Sequence, residues 1–259
     1  MDLPSNVWFA LLLTAIAGLS TGIGSTIAYF IKKPKLSYLC FSLGLSTGVM
    51  LYVSFVELLP EAFATVGEIV GLYAFFAGII VIGVIDLVIP GAENPHAFKG
   101  ISLKRKGKTD KSLLRVGMLT ALAVGIHNFP EGLATFGTAL CNVKLGLFIA
   151  FAIAIHNIPE GISVSMPIYY ATGNRRKAFF YSFMSWVAEP VAAILGLFIL
   201  LPILSTGVLA FLLAFVAGIM VYISVDELLP VAHQYGSGHC AIIGIVIGML
   251  IMAISLLML

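Results

Sequence analysis

The chain has 259 residues, of which 60% are hydrophobic and only 10% charged. A soluble domain carries about 25% charged residues, so a water-soluble protein is excluded and a polytopic membrane protein remains. The formal net charge of +2 is too small to argue for nucleic acid as a partner.

A bilayer crossing takes about 20 apolar residues, and eight such stretches follow one another along the chain. The first, 6–31, is preceded by Met1-Asp2-Leu3-Pro4 with no basic segment, so it reads as a retained span and not as a cleaved signal peptide. Spans 36–62 and 71–91 come next. The connection 92–112 is the longest; it carries Asn94-Pro95 and a run of lysines and arginines. Spans 113–140, 146–170, 178–200, 203–232 and 239–258 complete the chain, with only Leu201-Pro202 dividing the sixth from the seventh. The expectation is an all-α membrane protein forming a single transmembrane domain over 1–259.

The basic residues give this count an orientation. Lys32, Lys33 and Lys35 lie between spans one and two. Lys99, Lys104, Arg105, Lys106, Lys108, Lys111 and Arg115 lie between three and four, and Arg175, Arg176 and Lys177 between five and six. Thirteen of the 14 basic residues thus share one side, and only Lys144 falls opposite. The positive-inside rule makes that side cytoplasmic and leaves both termini outside. The basic loop 92–112 orients the protein and meets anionic lipid.

The chain also repeats itself. Shifted by 170 residues, Gly48-x-Met50-x-Tyr52-x-Ser54-x-x-Glu57-Leu58-Leu59-Pro60 falls on Gly218-x-Met220-x-Tyr222-x-Ser224-x-x-Glu227-Leu228-Leu229-Pro230. The first copy runs outward and the second inward. Spans one to three and six to eight then form inverted halves around a central pair, an architecture common in transporters with a midplane site.

That central pair carries the chemistry. His127-Asn128-Phe129-Pro130-Glu131-Gly132 lies in span four and His156-Asn157-Ile158-Pro159-Glu160-Gly161 in span five. An acid at bilayer depth costs roughly 2.5–3.5 kcal/mol on insertion scales, so two His-Glu pairs there call for a compensating partner. Residues four apart share a helix face, so His127 points with Glu131 and His156 with Glu160. Asn128 and Asn157 are turned about 100° away and reach an adjacent compartment. Pro130 and Pro159 free the carbonyls of Ile126 and Ile155. Two imidazoles and two carboxylates suit Zn2+ and tolerate Fe2+, Mn2+, Co2+ or Cd2+. A carboxylate shared between two ions, with the asparagine amides around the second, fits the same residues.

Glu189, followed by Pro190 in span six, is a further acid for this site. Glu57 and Glu61 near the outer end of span two, and Asp226 and Glu227 near the inner end of span seven, suggest acidic vestibules for the ion's approach and release. His96, His233 and His239 are candidates for receiving released metal, while Asp86 reads as interfacial. Cys40, Cys141 and Cys240 are far apart with no C-x-x-C, so they read as small apolar fillers and indicate neither a structural zinc site nor a redox pair.

At these residues the chain resembles the ZIP (Zrt-, Irt-like protein) family of divalent metal transporters, nearest to its bacterial ZupT-like zinc transporters. The resemblance covers essentially every span and is most specific in the paired His-Asn-x-Pro-Glu-Gly phrases and Glu189-Pro190. It implies a 3+2+3 helix arrangement and metal uptake toward the cytoplasm. It also implies a binuclear site, with His127, Glu131, His156 and Glu160 around one ion and Asn128, Asn157, Glu160 and Glu189 at the other. The loop between spans three and four departs from the histidine-rich form of many members, holding only His96.

The expectation is therefore a transporter in the plasma membrane (the inner membrane of a bacterium), with lipid and divalent metal as partners and no catalytic cofactor. Small-residue helix faces leave room for a homodimer. Two other readings compete: a proton-coupled carrier of an organic solute, and an intramembrane metallohydrolase. The second needs H-E-x-x-H, which the chain lacks.

Overall fold

The computed structural model describes residues 5–30, 35–88, 111–199, 205–235 and 239–258. His96, most of the 92–112 loop and Leu201-Pro202 lie outside the described residues, which are helical with no strand among them. The helices are α1 (Val7–Phe30), α2 (Leu36–Val53), α3 (Leu59–Val66), α4 (Glu68–Val88), α5 (Lys111–Cys141) and α6 (Val143–Thr172). They continue with α7 (Arg175–Ser185), α8 (Ala188–Ile199), α9 (Thr206–Ile223), α10 (Leu229–Tyr235) and α11 (Cys240–Met258).

Local chemistry sets the ends. Asn142, Asn174 and Ser205 accept the backbone N–H three residues on, at 3.1, 3.1 and 3.2 Å, and so start α6, α7 and α9. Gly173, at φ 64°, ends α6 in the left-handed conformation that costs glycine least. Inside span six, Pro190 has no N–H for the carbonyl of Trp186. The chain tightens there: Trp186, Val187 and Glu189 each bond the carbonyl three residues back, at 3.2, 3.2 and 3.1 Å, and α7 gives way to α8.

Surface and interior are sorted as lipid demands. On α1, Trp8, Leu12, Ile16, Leu19, Ile23 and Ile27 recur every three or four residues and are exposed, while Thr14, Ala17, Thr21 and Ser25 are buried. Large apolar groups outside and small or polar ones inside is the sorting of a helix packed by close backbone approach in a bilayer. Among the described residues, seven helical stretches are long and apolar enough to span a membrane: Val7–Phe30, Cys40–Val66, Glu68–Leu87, Val143–Met166, Arg175–Phe198, Thr206–Asp226 and Cys240–Leu257. The longest helix, α5, has 31 residues; Lys111, Arg115, His127 and Glu131 lower its hydropathy.

The 170-residue repeat is visible in the packing. A single π-helical turn follows α2 at Ser54–Leu58, and another follows α9 at Ser224–Leu228. Pro60 and Pro230 lie just beyond these turns. A proline ring clashes with the carbonyl four residues back, and widening the turn relieves it. The halves interlock, since α2 packs on α11 and α4 on α9. A Cβ on Gly48 would overlap the carbonyl of Ile245, and one on Gly218 would overlap the equivalent carbonyl of Phe75. Likewise α1 packs on α6 and α8 on α5.

Cys40 and Cys240 are near neighbours, because the starts of α2 and α11 lie side by side and Cys240 Sγ donates to the Ser37 carbonyl at 3.5 Å. Two cysteines 200 positions apart thus form a pair that spacing alone does not reveal.

Gly48→Leu and Gly218→Leu place a side chain on a carbonyl of the facing helix. Each is expected to lower the melting temperature in detergent by several degrees, about the 1–3 kcal/mol of an overpacked core. Unchanged melts would show that these helices do not touch there.

Candidate metal centre

Asn142 alone joins α5 to α6, so the two helices run back to back and bring their repeated phrases level. His156 on α6 meets Glu131 on α5, Nε2 to Oε2 at 3.0 Å, with 0% and 1% exposure. Glu160, one turn further on α6, is equally buried.

The asparagines face elsewhere. Asn128 and Asn157 donate from Nδ2 to the same oxygen, Oε1 of Glu189 on α8, at 3.2 and 2.7 Å. Asn157 Nδ2 also donates to the carbonyl of Ala17 on α1, at 3.3 Å. This leaves Glu189 Oε2, Asn128 Oδ1 and Asn157 Oδ1 buried with no hydrogen-bond donor. Leaving such an acceptor unsatisfied costs about 1–3 kcal/mol. The three come from three helices, α5, α6 and α8.

Close backbone approach fixes Glu189. A Cβ on Gly132 would strike its backbone, and one on Gly18 would strike the Trp186 ring and the Glu189 carboxylate. Trp186 Nε1 donates to the Ala15 carbonyl at 3.3 Å. Helix α1 therefore helps build the centre. Its only sequence signal is the small and polar stripe Thr14, Ala17, Gly18, Thr21.

Large side chains seal the His156–Glu131 pair. Val53, Leu58, Ile149, Ile153, Val216 and Met220 close around it, leaving a cavity of about 10 Å³. On another side, a groove of about 660 Å³ runs between α4 and α9 on one wall and α5 and α7 on the other, passing Phe129 and Pro130.

A model of the ZIP zinc transporter family matches residues 90–256. The zinc transporter ZupT of Clostridium perfringens is 50% identical over 99% of this chain and 98% of its own length. That of Streptococcus mutans is 50% identical over 99% of both chains, and that of Chlorobium phaeovibrioides 53% identical over 98% and 99%. The chain belongs to the ZIP zinc transporter family. It is a multi-pass membrane protein and a transporter, not an enzyme.

In this ZIP chain the structure brings together Glu131 with His156, and Asn128 with Asn157 and Glu189. The side chain of His127 lies outside the described ones. Among the described residues, no three His, Cys, Asp or Glu side chains converge closely enough to hold an ion. Two carboxylates brought together repel unless a cation lies between them; here Glu131 is held by His156 and Glu189 by the two amides.

The residues expected in the vestibules lie on the π turns and the short helices that follow them. Glu57 is half-buried in the first π turn and Glu61 exposed on α3; Asp226 is half-buried in the second π turn and His233 exposed on α10. The side chain of Glu227 lies outside the described ones. Asp86 accepts a hydrogen bond from the Tyr222 hydroxyl at 3.4 Å.

Zn2+ added to the detergent-solubilised protein is expected to raise its melting temperature, by about 2.7 kcal/mol of stability at a hundred times Kd. EDTA should reverse the shift. Glu131→Ala and His156→Ala should shrink it, and a shift intact in both would move the centre elsewhere.

Proposed function

We propose that the protein carries divalent metal, zinc foremost, into the cytoplasm through the centre between α5, α6 and α8. Fe2+, Mn2+, Co2+ and Cd2+ are further substrates, because imidazole and carboxylate ligands accept them all. The carrying observation is the sharing of Glu189 by Asn128 and Asn157 beside the buried His156–Glu131 pair.

One ion binds to His127, Glu131, His156 and Glu160. A second, joined to it through Glu160, binds to Asn128, Asn157 and Glu189. His156 gives up its bond to Glu131 as the first ion arrives. Protons leave the ligands on binding, so uptake weakens as falling pH protonates them. Glu57 and Glu61 draw ions in, and Asp226, Glu227 and His233 lead them away. The path lies within one chain, so a homodimer would duplicate it.

The proposed topology has eight spans, α5 among them, with both termini outside and the basic loops in the cytoplasm. An uneven seam supports movement of the ion. Helix α2 packs against α6 over a broad face, whereas its counterpart α9 meets α5 over a smaller one and is parted from it elsewhere by the 660 Å³ groove. An inverted repeat can exchange two such arrangements and switch the open side. The organic-carrier and metallohydrolase readings have no comparable support.

Reconstituted into liposomes, the protein is expected to take up radioactive zinc, with the other four metals competing. Glu131→Ala, His156→Ala and Glu160→Ala should each reduce uptake at least about tenfold, as removal of a metal-site group typically does. A folded, sealed preparation that moves none of these ions would refute the proposal. Membrane-impermeant labelling of single cysteines in the termini should mark both from outside the cell; protection of either end would overturn the topology.

A further inference from the structure

We propose that Cys40 and Cys240 form a peroxide-reactive dithiol that closes to a disulfide between α2 and α11. The pair is independent of the zinc reading. Cys240 opens α11 and Cys40 lies in the first turns of α2. The Cys240 thiol reaches the Ser37 carbonyl, at 3.5 Å, one turn before Cys40 on α2, which makes the two cysteine side chains near neighbours. Both cysteines are free.

The backbone geometry suits a covalent bond. Disulfides need Cα atoms about 4.4–6.8 Å apart, a separation reached only where helix backbones touch. They touch here: a Cβ on Gly44 would overlap the carbonyl of Ala241, and one on Gly244 would press on that of Phe41. This packing already brings the starts of the two helices together, beside both cysteines.

Exposure assigns the roles. Cys240 is partly exposed and Cys40 is 1% exposed. The Cys240 sulfur attacks one oxygen of hydrogen peroxide and becomes a sulfenic acid, its proton leaving with the other oxygen as water. The Cys40 thiol attacks that sulfur, the S–S bond forms and a second water leaves. Two thiols lose two electrons and two protons, and one peroxide becomes two waters. The bond joins the first half of the repeat to the second and staples them where they interlock.

Cys141, exposed at the end of α5, is removed as Cys141→Ser to avoid links between molecules. The full-length protein in detergent is treated with peroxide, denatured and exposed to a maleimide. The expected result is loss of both reactive thiols, an intact mass lower by two hydrogens, and reversal by dithiothreitol. The oxidised protein should melt several degrees above the reduced one, as a bond closing a long loop requires. Cys40→Ser should abolish the bond and leave Cys240 oxidised alone. Two thiols still open to maleimide, or both advanced separately to sulfinic acid, would overturn the proposal. Should Cys141→Ser fail to fold, mass spectrometry of the peroxide-treated natural chain decides the matter by the presence or absence of the Cys40–Cys240 linked peptide.

Discussion

Carboxylates and amides inside hydrocarbon are tolerated only where each finds a partner, and this constraint governs the centre of the molecule. Glu131, Glu160, Glu189, Asn128, Asn157 and His156 are all at most 1% exposed. The helices have arranged themselves so that an imidazole meets one carboxylate and two amides meet another. The remaining oxygens, on Glu189 and the two asparagines, have no donor. A bundle of this size could have filled the space with leucine at lower cost. Keeping unsatisfied oxygen there instead makes sense for a site whose complement is a cation.

The rest of the structure serves that arrangement. Glycine at Gly18 and Gly132 lets α1, α5 and α8 converge on Glu189 without a methyl group in the way. Pro190 breaks span six just where the carboxylate must turn inward. The interlocked pairs α2–α11 and α4–α9 form a second group of helices around the first. Their twin π turns carry the acids Glu57 and Asp226. Polar chemistry is thus concentrated on α1 and α5–α8, and the interlocked pairs supply apolar walls such as Val53, Val216 and Met220.

The two halves are alike in sequence but not in contact. The seam between α2 and α6 is closed, while the corresponding seam between α9 and α5 opens into a groove. One backbone pattern, used twice, is therefore packed in two different ways.

Much of this was legible in the chain itself. Hydropathy, the repeated His-Asn-x-Pro-Glu-Gly phrase, the 170-residue repeat and the sidedness of lysine and arginine are properties of order along the sequence. They therefore determined the all-helical membrane architecture, the family resemblance and the candidate residues. Only the tertiary structure decided that Asn128 and Asn157 share Glu189 while His156 turns to Glu131. It alone brought α1 into the centre and set Cys40 against Cys240. These facts depend on how far each helix is rotated about its axis and which distant helix it touches, and those are fixed by close backbone contacts between segments that the sequence keeps far apart.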